Sequence, residues 1–408
     1  MAQRIELLAP AGNREKAEVA IAFGADAIYV GGKEYSLRAS AGNFTLTEMA
    51  SLVEYAHAAH VKVYVAVNSL LHNPELEGLA SYLRSLADLG VDAVIFADPA
   101  VYAIAREAAP DLPLHISTQA SVTNWRSVQF WEAMGVRRVI LARELSLEEI
   151  QEIRGKVNVE LEAFVHGAMC ISYSGRCLLS NYMTGRDANR GECAQACRWR
   201  YALMEEKRPG HYYPVEEDEK GTYIMNSKDL NMLAHIPAMA KAGIGSLKIE
   251  GRMKSVYYVG MVVKAYRAAL DAYHADPNGH QSRQEWLDEL DKVSHRPYTT
   301  GFYFGPPGPE GQFYVSGGYI RDYDFVGILP ESSEGKGRVA VRNRLRQGEK
   351  VELVAPTGAP IEFIIEEMWD EDGVAQTEAH ANQVIYLDLP AKAPALSMLR
   401  REVGQEQA

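Results

Sequence analysis

Cysteine is scarce in this chain of 408 residues: there are four, all between positions 170 and 197. So few exclude a disulfide-stapled scaffold, in which many bridges stand in for a core. Apolar runs long enough to cross a bilayer are missing, so no membrane partner is expected. The opening Met1-Ala2-Gln3-Arg4-Ile5-Glu6 has no basic head followed by an apolar block, so no secretory leader is expected and a cytoplasmic location follows. Basic charge is outweighed, 42 Lys and Arg against 54 Asp and Glu for a net −12. That argues against indiscriminate coating of nucleic acid but leaves room for a local basic patch. His-Glu-x-x-His and Gly-x-Ser-x-Gly are also lacking, which leaves a peptidase with little support.

What is present is ordinary for a globular protein, 47% hydrophobic and 24% charged. Short β-branched runs at 7–9, 27–30, 63–67, 93–96, 114–116, 138–141, 159–164 and 247–249 alternate with helical stripes. Leu76, Leu79, Leu83 and Leu86 recur three and four apart, as do Val259, Val262, Val263, Tyr266 and Leu270. Ser146 and Glu149 form a capping box ahead of Leu147, Ile150 and Ile153. Eight strand–helix units predict an α/β fold, a (β/α)8 TIM-type barrel, with an open doubly wound sheet as the alternative.

The barrel is expected over 1–275, with a cysteine-bearing insertion at 168–230 after strand 7. A helical and Gly/Pro-rich connector follows at 276–310. Strand-like runs at 325–329, 338–341, 350–354, 361–365 and 384–387 predict a small antiparallel β-barrel over 311–400. The tail, 401–408, is expected to be disordered.

The cysteines are spaced C-x6-C, C-x15-C and C-x3-C at Cys170, Cys177, Cys193 and Cys197. In a reducing compartment such crowding reads as metal chemistry. Four thiolates suit a 4Fe-4S iron–sulfur cluster. They also suit a structural zinc, although zinc ribbons favour C-x2-C knuckles that are missing here. Four buried free thiols are the third reading. Gly167, Gly175, Gly185 and Gly191 would let backbone approach a cluster.

A loop after a barrel strand emerges at the C-terminal face, where barrel enzymes place their chemistry. His115, Ser117 and Gln119 follow the fifth strand, Arg143 and Glu144 the sixth, Glu162 and His166 the seventh, and Lys248, Glu250 and Arg252 the eighth. His166, Lys248 and Glu250 are the candidate catalytic groups, with His166 as an acid or base. Arg143 and Arg252, with Gln119 and His115, are candidates for binding substrate, because a guanidinium fork matches a carboxylate. The competing reading is that Lys248 and Glu250 simply pair inside the barrel. His57 and His60 read as a solvated face, and Gly31-Gly32 as a turn rather than a phosphate cradle. Arg198 lies beside the cysteines, and Arg342, Arg344 and Arg346 alternate as on one face of a strand, so both sets are candidate RNA contacts. An ordinary charged surface explains them equally well.

The run Glu162-x-Phe164-x2-Gly167-Ala168-x-Cys170, with Gly175-x-Cys177 and Ser180, resembles the signature of peptidase family U32, the collagenase-like peptidases. The resemblance covers most of the chain. It includes Glu6-Leu7-Leu8-Ala9-Pro10-Ala11-Gly12, Tyr29-Val30-Gly31-Gly32, Asn226-Ser227-Lys228-Asp229-Leu230, Leu247-Lys248-Ile249-Glu250-Gly251-Arg252 and His295-Arg296-Pro297-Tyr298-Thr299-Thr300-Gly301-Phe302. Cys193-x3-Cys197-Arg198-Trp199 is most similar to the family's tRNA-hydroxylating subgroup. The resemblance implies conversion of the wobble uridine of tRNA to 5-hydroxyuridine, prephenate as co-substrate, and an iron–sulfur cluster. Other members imply the alternatives: a collagenase-like peptidase, or a hydroxylase of ribosomal RNA or of a ubiquinone precursor. A metal-stabilised RNA-binding protein without catalysis is a further possibility.

Overall fold

The computed structural model describes residues 4–37, 42–170, 172–198, 217–218, 221–222, 227–307, 319–331 and 333–404. Eight parallel strands close into a barrel: β1 (Glu6–Pro10), β2 (Ala27–Gly31), β3 (Lys62–Val67), β4 (Ala93–Phe96), β5 (Leu114–Ile116), β6 (Arg138–Ile140), β7 (Glu160–Ala168) and, after a short hairpin of β8 (Glu217–Asp218) and β9 (Gly221–Thr222) and the strand β10 (Asp229–Asn231), β11 (Ser246–Ile249). β11 pairs with β1 on one side and β7 on the other, which closes the ring and excludes the open sheet. All of β2 is apolar and buried, as a parallel strand roofed by helices requires.

The helices are α1 (Arg14–Ala22), α2 (Leu46–Ala58), α3 (Leu79–Asp88), α4 (Pro99–Ala108), α5 (Trp125–Ala133), α6 (Leu147–Arg154), α7 (Leu179–Thr184), α8 (Ile236–Lys241), α9 (Val256–Ala275) and α10 (Gln284–Asp291). Caps start them where expected. In the box on α6, the Glu149 N–H donates to Ser146 Oγ at 3.3 Å and the Ser146 N–H to the Glu149 carboxylate at 2.8 Å. Among the described residues no helix is long and apolar enough to cross a membrane.

The lower half of the barrel is filled by charge. Arg138 donates to Glu6 at 2.6 Å and to Glu162 at 2.8 Å, and its other nitrogen lies 2.9 Å from Glu160. Lys248 donates to Glu162 at 2.8 Å, so the barrel-interior partner of Lys248 is Glu162 and not Glu250. Burial works against the Arg138 charge, but Glu162 and Glu6 outweigh it and hold the guanidinium protonated.

Beyond the barrel, β12 (Tyr298–Thr299) pairs with β10, which itself runs antiparallel to β7. The C-terminal part comprises β13 (Tyr323–Ile328), β14 (Lys336–Val341), β15 (Leu345–Arg346), β16 (Lys350–Val354), β17 (Ile361–Ile364), β18 (Met368–Trp369), β19 (Ala375–Gln376), β20 (Glu378–Ala379), β21 (Val384–Asp388) and β22 (Met398–Glu402). Eight of these form an antiparallel half-barrel in the order β17-β16-β22-β13-β14-β21-β18-β19. Its core includes Val326, Val339, Val351, Leu353, Ile385 and Leu399. The tail expected to be disordered instead begins inside β22, where Arg400 and Arg401 are buried; only 405–408 lie outside the described residues. The Arg400 guanidinium donates to Glu289 of α10 at 2.7 Å and to Glu352 of β16 at 2.5 Å, locking the half-barrel to the helical flank.

Candidate functional site

Two cavities meet at the C-terminal mouth of the barrel. The smaller, about 50 Å³, is lined by Tyr29, Asn68, Ser117, Gln119, Arg143, Phe164, Lys248, Glu250 and Arg252, with five others. The larger, about 690 Å³, lies between that rim, the cysteine insertion and the half-barrel. Arg143 and Glu250 line both.

Arg143 sits in the loop after β6. Its guanidinium lies 4.1 Å from the Phe164 ring centre and reaches the Ala168 carbonyl at 3.5 Å. Its buried Nε has no hydrogen-bond partner, and among the described residues it has no acidic partner. Arg252, in the loop after β11, is buried; it donates to Ser36 Oγ at 2.9 Å and to the Asn43 amide oxygen. Gly31 makes that seat possible, since a Cβ there would collide with the guanidinium. Glu250 accepts from the Tyr29 hydroxyl at 3.4 Å.

Cys170, Cys193 and Cys197 line the larger cavity, and all four cysteines are half-buried and outside any disulfide. Cys177 stands off that wall, its backbone clamped by Asn189 at 3.1 and 3.0 Å. Backbone N–H groups point at two sulfurs, from Leu179 to Cys177 at 3.3 Å and from Gln195 to Cys193 at 3.4 Å. Among the described residues no three His, Cys, Asp or Glu converge tightly enough to hold a single metal ion.

The insertion is fastened over the mouth by loops that follow three barrel strands. Glu144, after β6, accepts from the Ser174 N–H at 2.7 Å and its hydroxyl at 2.8 Å. Arg176 donates to the Gln119 carbonyl, after β5, at 2.7 Å, and Arg190 to Glu75, after β3, at 2.7 Å.

Several candidates lie elsewhere. His166 is on β7, but Phe164 opposes Lys248 while His166 opposes Ile249, so Val165 is the extra residue of a bulge. The bulge turns His166 out of the barrel and among Tyr258, Tyr266 and Tyr298, with ring centres 5.5–6.0 Å away. It lines neither cavity. Burial, with Lys254 and His295 adding to it, drives its pKa down to about 3, so it is neutral and no proton carrier at neutral pH. His115 lies below the mouth, against Tyr64 at 4.8 Å, and likewise lines neither cavity. Burial first, then Arg138 and Lys248, keep it well below the usual histidine range.

Lys248 reaches the small cavity, but its ammonium is spent on Glu162. Arg342 and Arg344 are not on a strand: β14 ends at Val341 and only Arg346 lies on β15. Arg342 is paired with Glu15, and Arg344 and Arg346 with Glu378, so the expected basic strand face does not form. The Arg198 side chain lies outside the described residues. His57 is a surface group paired with Asp92 at 2.9 Å.

Sequence reading missed the far wall of the large cavity. Lys254, Tyr257, Tyr258, Tyr319, Arg321, Tyr323 and Phe325 line it. Tyr257 and Phe325 stack at 5.5 Å, and the Lys254 ammonium lies 3.9 Å from the Tyr319 ring centre. The available signal was the position of 250–255, directly after the last barrel strand.

Comparison with known proteins places this geometry. The model of peptidase family U32 matches residues 12–312, and that of the family's C-terminal domain matches 321–400. "tRNA hydroxylation protein P1" of Bacillus subtilis (strain 168) is 45% identical, covering 97% of this chain and 94% of that protein. "tRNA hydroxylation protein P" of Escherichia coli (strain K12) is 40% identical, covering 94% of each. The "23S rRNA 5-hydroxycytidine C2501 synthase" of Escherichia coli (strain K12) is 35% identical over 76% of this chain but 47% of its own length. With both family models matched in tandem and the barrel, insertion and half-barrel in place, the chain belongs to peptidase family U32.

Proposed function

We propose that this chain is a tRNA hydroxylase that converts the wobble uridine to 5-hydroxyuridine with prephenate as co-substrate and a 4Fe-4S cluster on Cys170, Cys177, Cys193 and Cys197. Relatives named for tRNA hydroxylation match it over nearly their whole length. The observation that carries the chemistry is Arg143, a guanidinium without an acidic partner among the described residues, on the wall shared by the mouth cavity and the cavity lined by three cysteines.

The residues fit a cluster better than a single ion. Four thiols lie in one insertion without disulfides, two of them already receive backbone N–H groups, and among the described residues no three donors converge on a single ion. A bound cluster would supply one-electron redox chemistry at this wall.

The chain's own groups do the rest. Arg143 and Arg252 supply positive charge for the two carboxylates of prephenate. Glu250, at the junction of the cavities, is the candidate proton acceptor. Tyr257, Tyr323 and Phe325 give the large cavity an apolar wall that shields a pyrimidine from water.

Nucleoside mass spectrometry of a strain lacking this gene tests the reading. Wobble-uridine modifications are expected to lose the mass of one oxygen atom, restored by the wild-type gene. Unchanged tRNA with a hydroxyl missing from ribosomal RNA would move the substrate to that of the 23S rRNA relative.

A further inference from the structure

Helix α7 is built the wrong way round for a packing element. Its inner side is fixed: Ser180 is buried, accepts from the Ala194 N–H at 2.9 Å and donates to the Arg186 carbonyl at 2.8 Å. Leu179, at its start, donates to the Cys177 sulfur. The short helix is therefore tied to both cysteine loops. Its outer side is apolar and bare: Leu178 is 74% exposed and Tyr182 86%, four residues apart and so on one face. Tyr173, in the preceding turn, is 55% exposed. The Tyr182 ring meets no other ring or cation among the described residues. Exposed large apolar groups clustered on one rigid, anchored element mark a binding face.

Charge selects the occupant. Arg186, two residues past the helix, is exposed and has no acidic partner among the described residues, and Arg176 uses its Nε on the Gln119 carbonyl. Arginines beside an exposed aromatic ring are the elements from which single-stranded RNA sites are made: a ring stacks on a base and a guanidinium meets the phosphate. Resting on the tRNA reading above, we propose that the outer face of α7 is a stacking platform for an unpaired nucleotide next to the target uridine. Tyr182 supplies the ring and Arg186 the phosphate contact. Because α7 is tied to the loops of Cys177 and Cys193, a nucleotide held there is carried by the same insertion that supplies Cys170, Cys193 and Cys197 to the large cavity.

The test compares binding of the full-length protein to an anticodon stem-loop RNA and to a blunt duplex of the stem sequence. Tyr182→Ala is expected to weaken stem-loop binding about tenfold, within the range of one lost base–ring stack, and to leave duplex binding unchanged. Tyr182→Phe should bind like wild type, since the ring remains. Arg186→Gln should flatten the salt dependence of stem-loop binding by about one unit of slope. Wild-type affinity in Tyr182→Ala overturns the platform while leaving the tRNA reading intact. No stem-loop binding by the wild type would instead fell that reading and the platform with it. Loss of self-association in Tyr182→Ala, with RNA affinity unchanged, would make the face a protein interface and overturn the proposal.

Discussion

The Arg143 guanidinium lies on a wall shared by two cavities, with Phe164 beneath it and a 3.5 Å contact to the Ala168 carbonyl. A hydrogen bond to a charged group contributes about 1.5–3 kcal/mol, so Arg143→Gln should lower kcat/KM for prephenate roughly 10- to 150-fold without moving the unfolding midpoint. Equal kinetics with a lowered midpoint would make Arg143 a packing residue. Glu162 is the reverse case, buried between Arg138 and Lys248. Glu162→Gln leaves two buried cations facing each other and should cost about 3–5 kcal/mol in a urea titration. His166 governs part of the acid sensitivity. Above pH 6.5 it is neutral both folded and unfolded; between 6.5 and its folded value of about 3 only the unfolded chain takes the proton, so stability falls as pH falls. His166→Phe should therefore reduce the stability lost between pH 6.5 and 5 by about 2 kcal/mol; an unaltered loss would contradict the buried neutral ring. Arg143, Arg252 and Glu250 line the mouth, as residue type and strand end lead one to expect, and Cys170, Cys193 and Cys197 line the larger cavity beside it. The place of His166 was not legible, since period-two alternation from Glu162 and Phe164 points it inward and the bulge at Val165 is invisible in sequence.

At the scale of elements, the eight barrel strands and the α6 cap follow from apolar runs, helical stripes and capping chemistry. The insertion's position does not, because its seat is made by single contacts from distant loops. Glu144 is the clearest: one carboxylate takes both the Ser174 N–H and its hydroxyl. Glu144→Ala should speed hydrogen exchange and proteolysis within 172–198, while the global midpoint falls by no more than the few degrees one such contact supports. Uniform protection across the chain would show that the latch is not what holds the insertion. β22 was illegible for a different reason. Met398-Leu399-Arg400-Arg401-Glu402 reads as a solvated end, whereas Glu289, Glu352 and Glu349 receive its arginines in the interior.

The whole molecule makes a site that neither half holds alone. The barrel contributes Arg143 and Glu250, the insertion three cysteines, and the half-barrel with its approach Tyr319, Tyr323 and Phe325. These segments lie far apart in sequence, so a cavity between them has no local signature. Arg400 is the fastening, and Arg400→Met would leave Glu289 and Glu352 with the longer 3.4 Å contacts of Lys292 in place of the 2.5–2.7 Å pairs with the buried guanidinium. A loss of about 3–5 kcal/mol is expected, together with weaker substrate binding, read by denaturant titration and equilibrium binding. Everything about the chemistry rests on the four thiols holding iron. The direct measurement is iron and acid-labile sulfide per chain, with the visible spectrum, in protein purified without oxygen, beside Cys193→Ala. The account predicts about four of each and a brown protein that the substitution bleaches; a colourless, iron-free wild type, or a Cys193→Ala protein with undiminished colour, would contradict it.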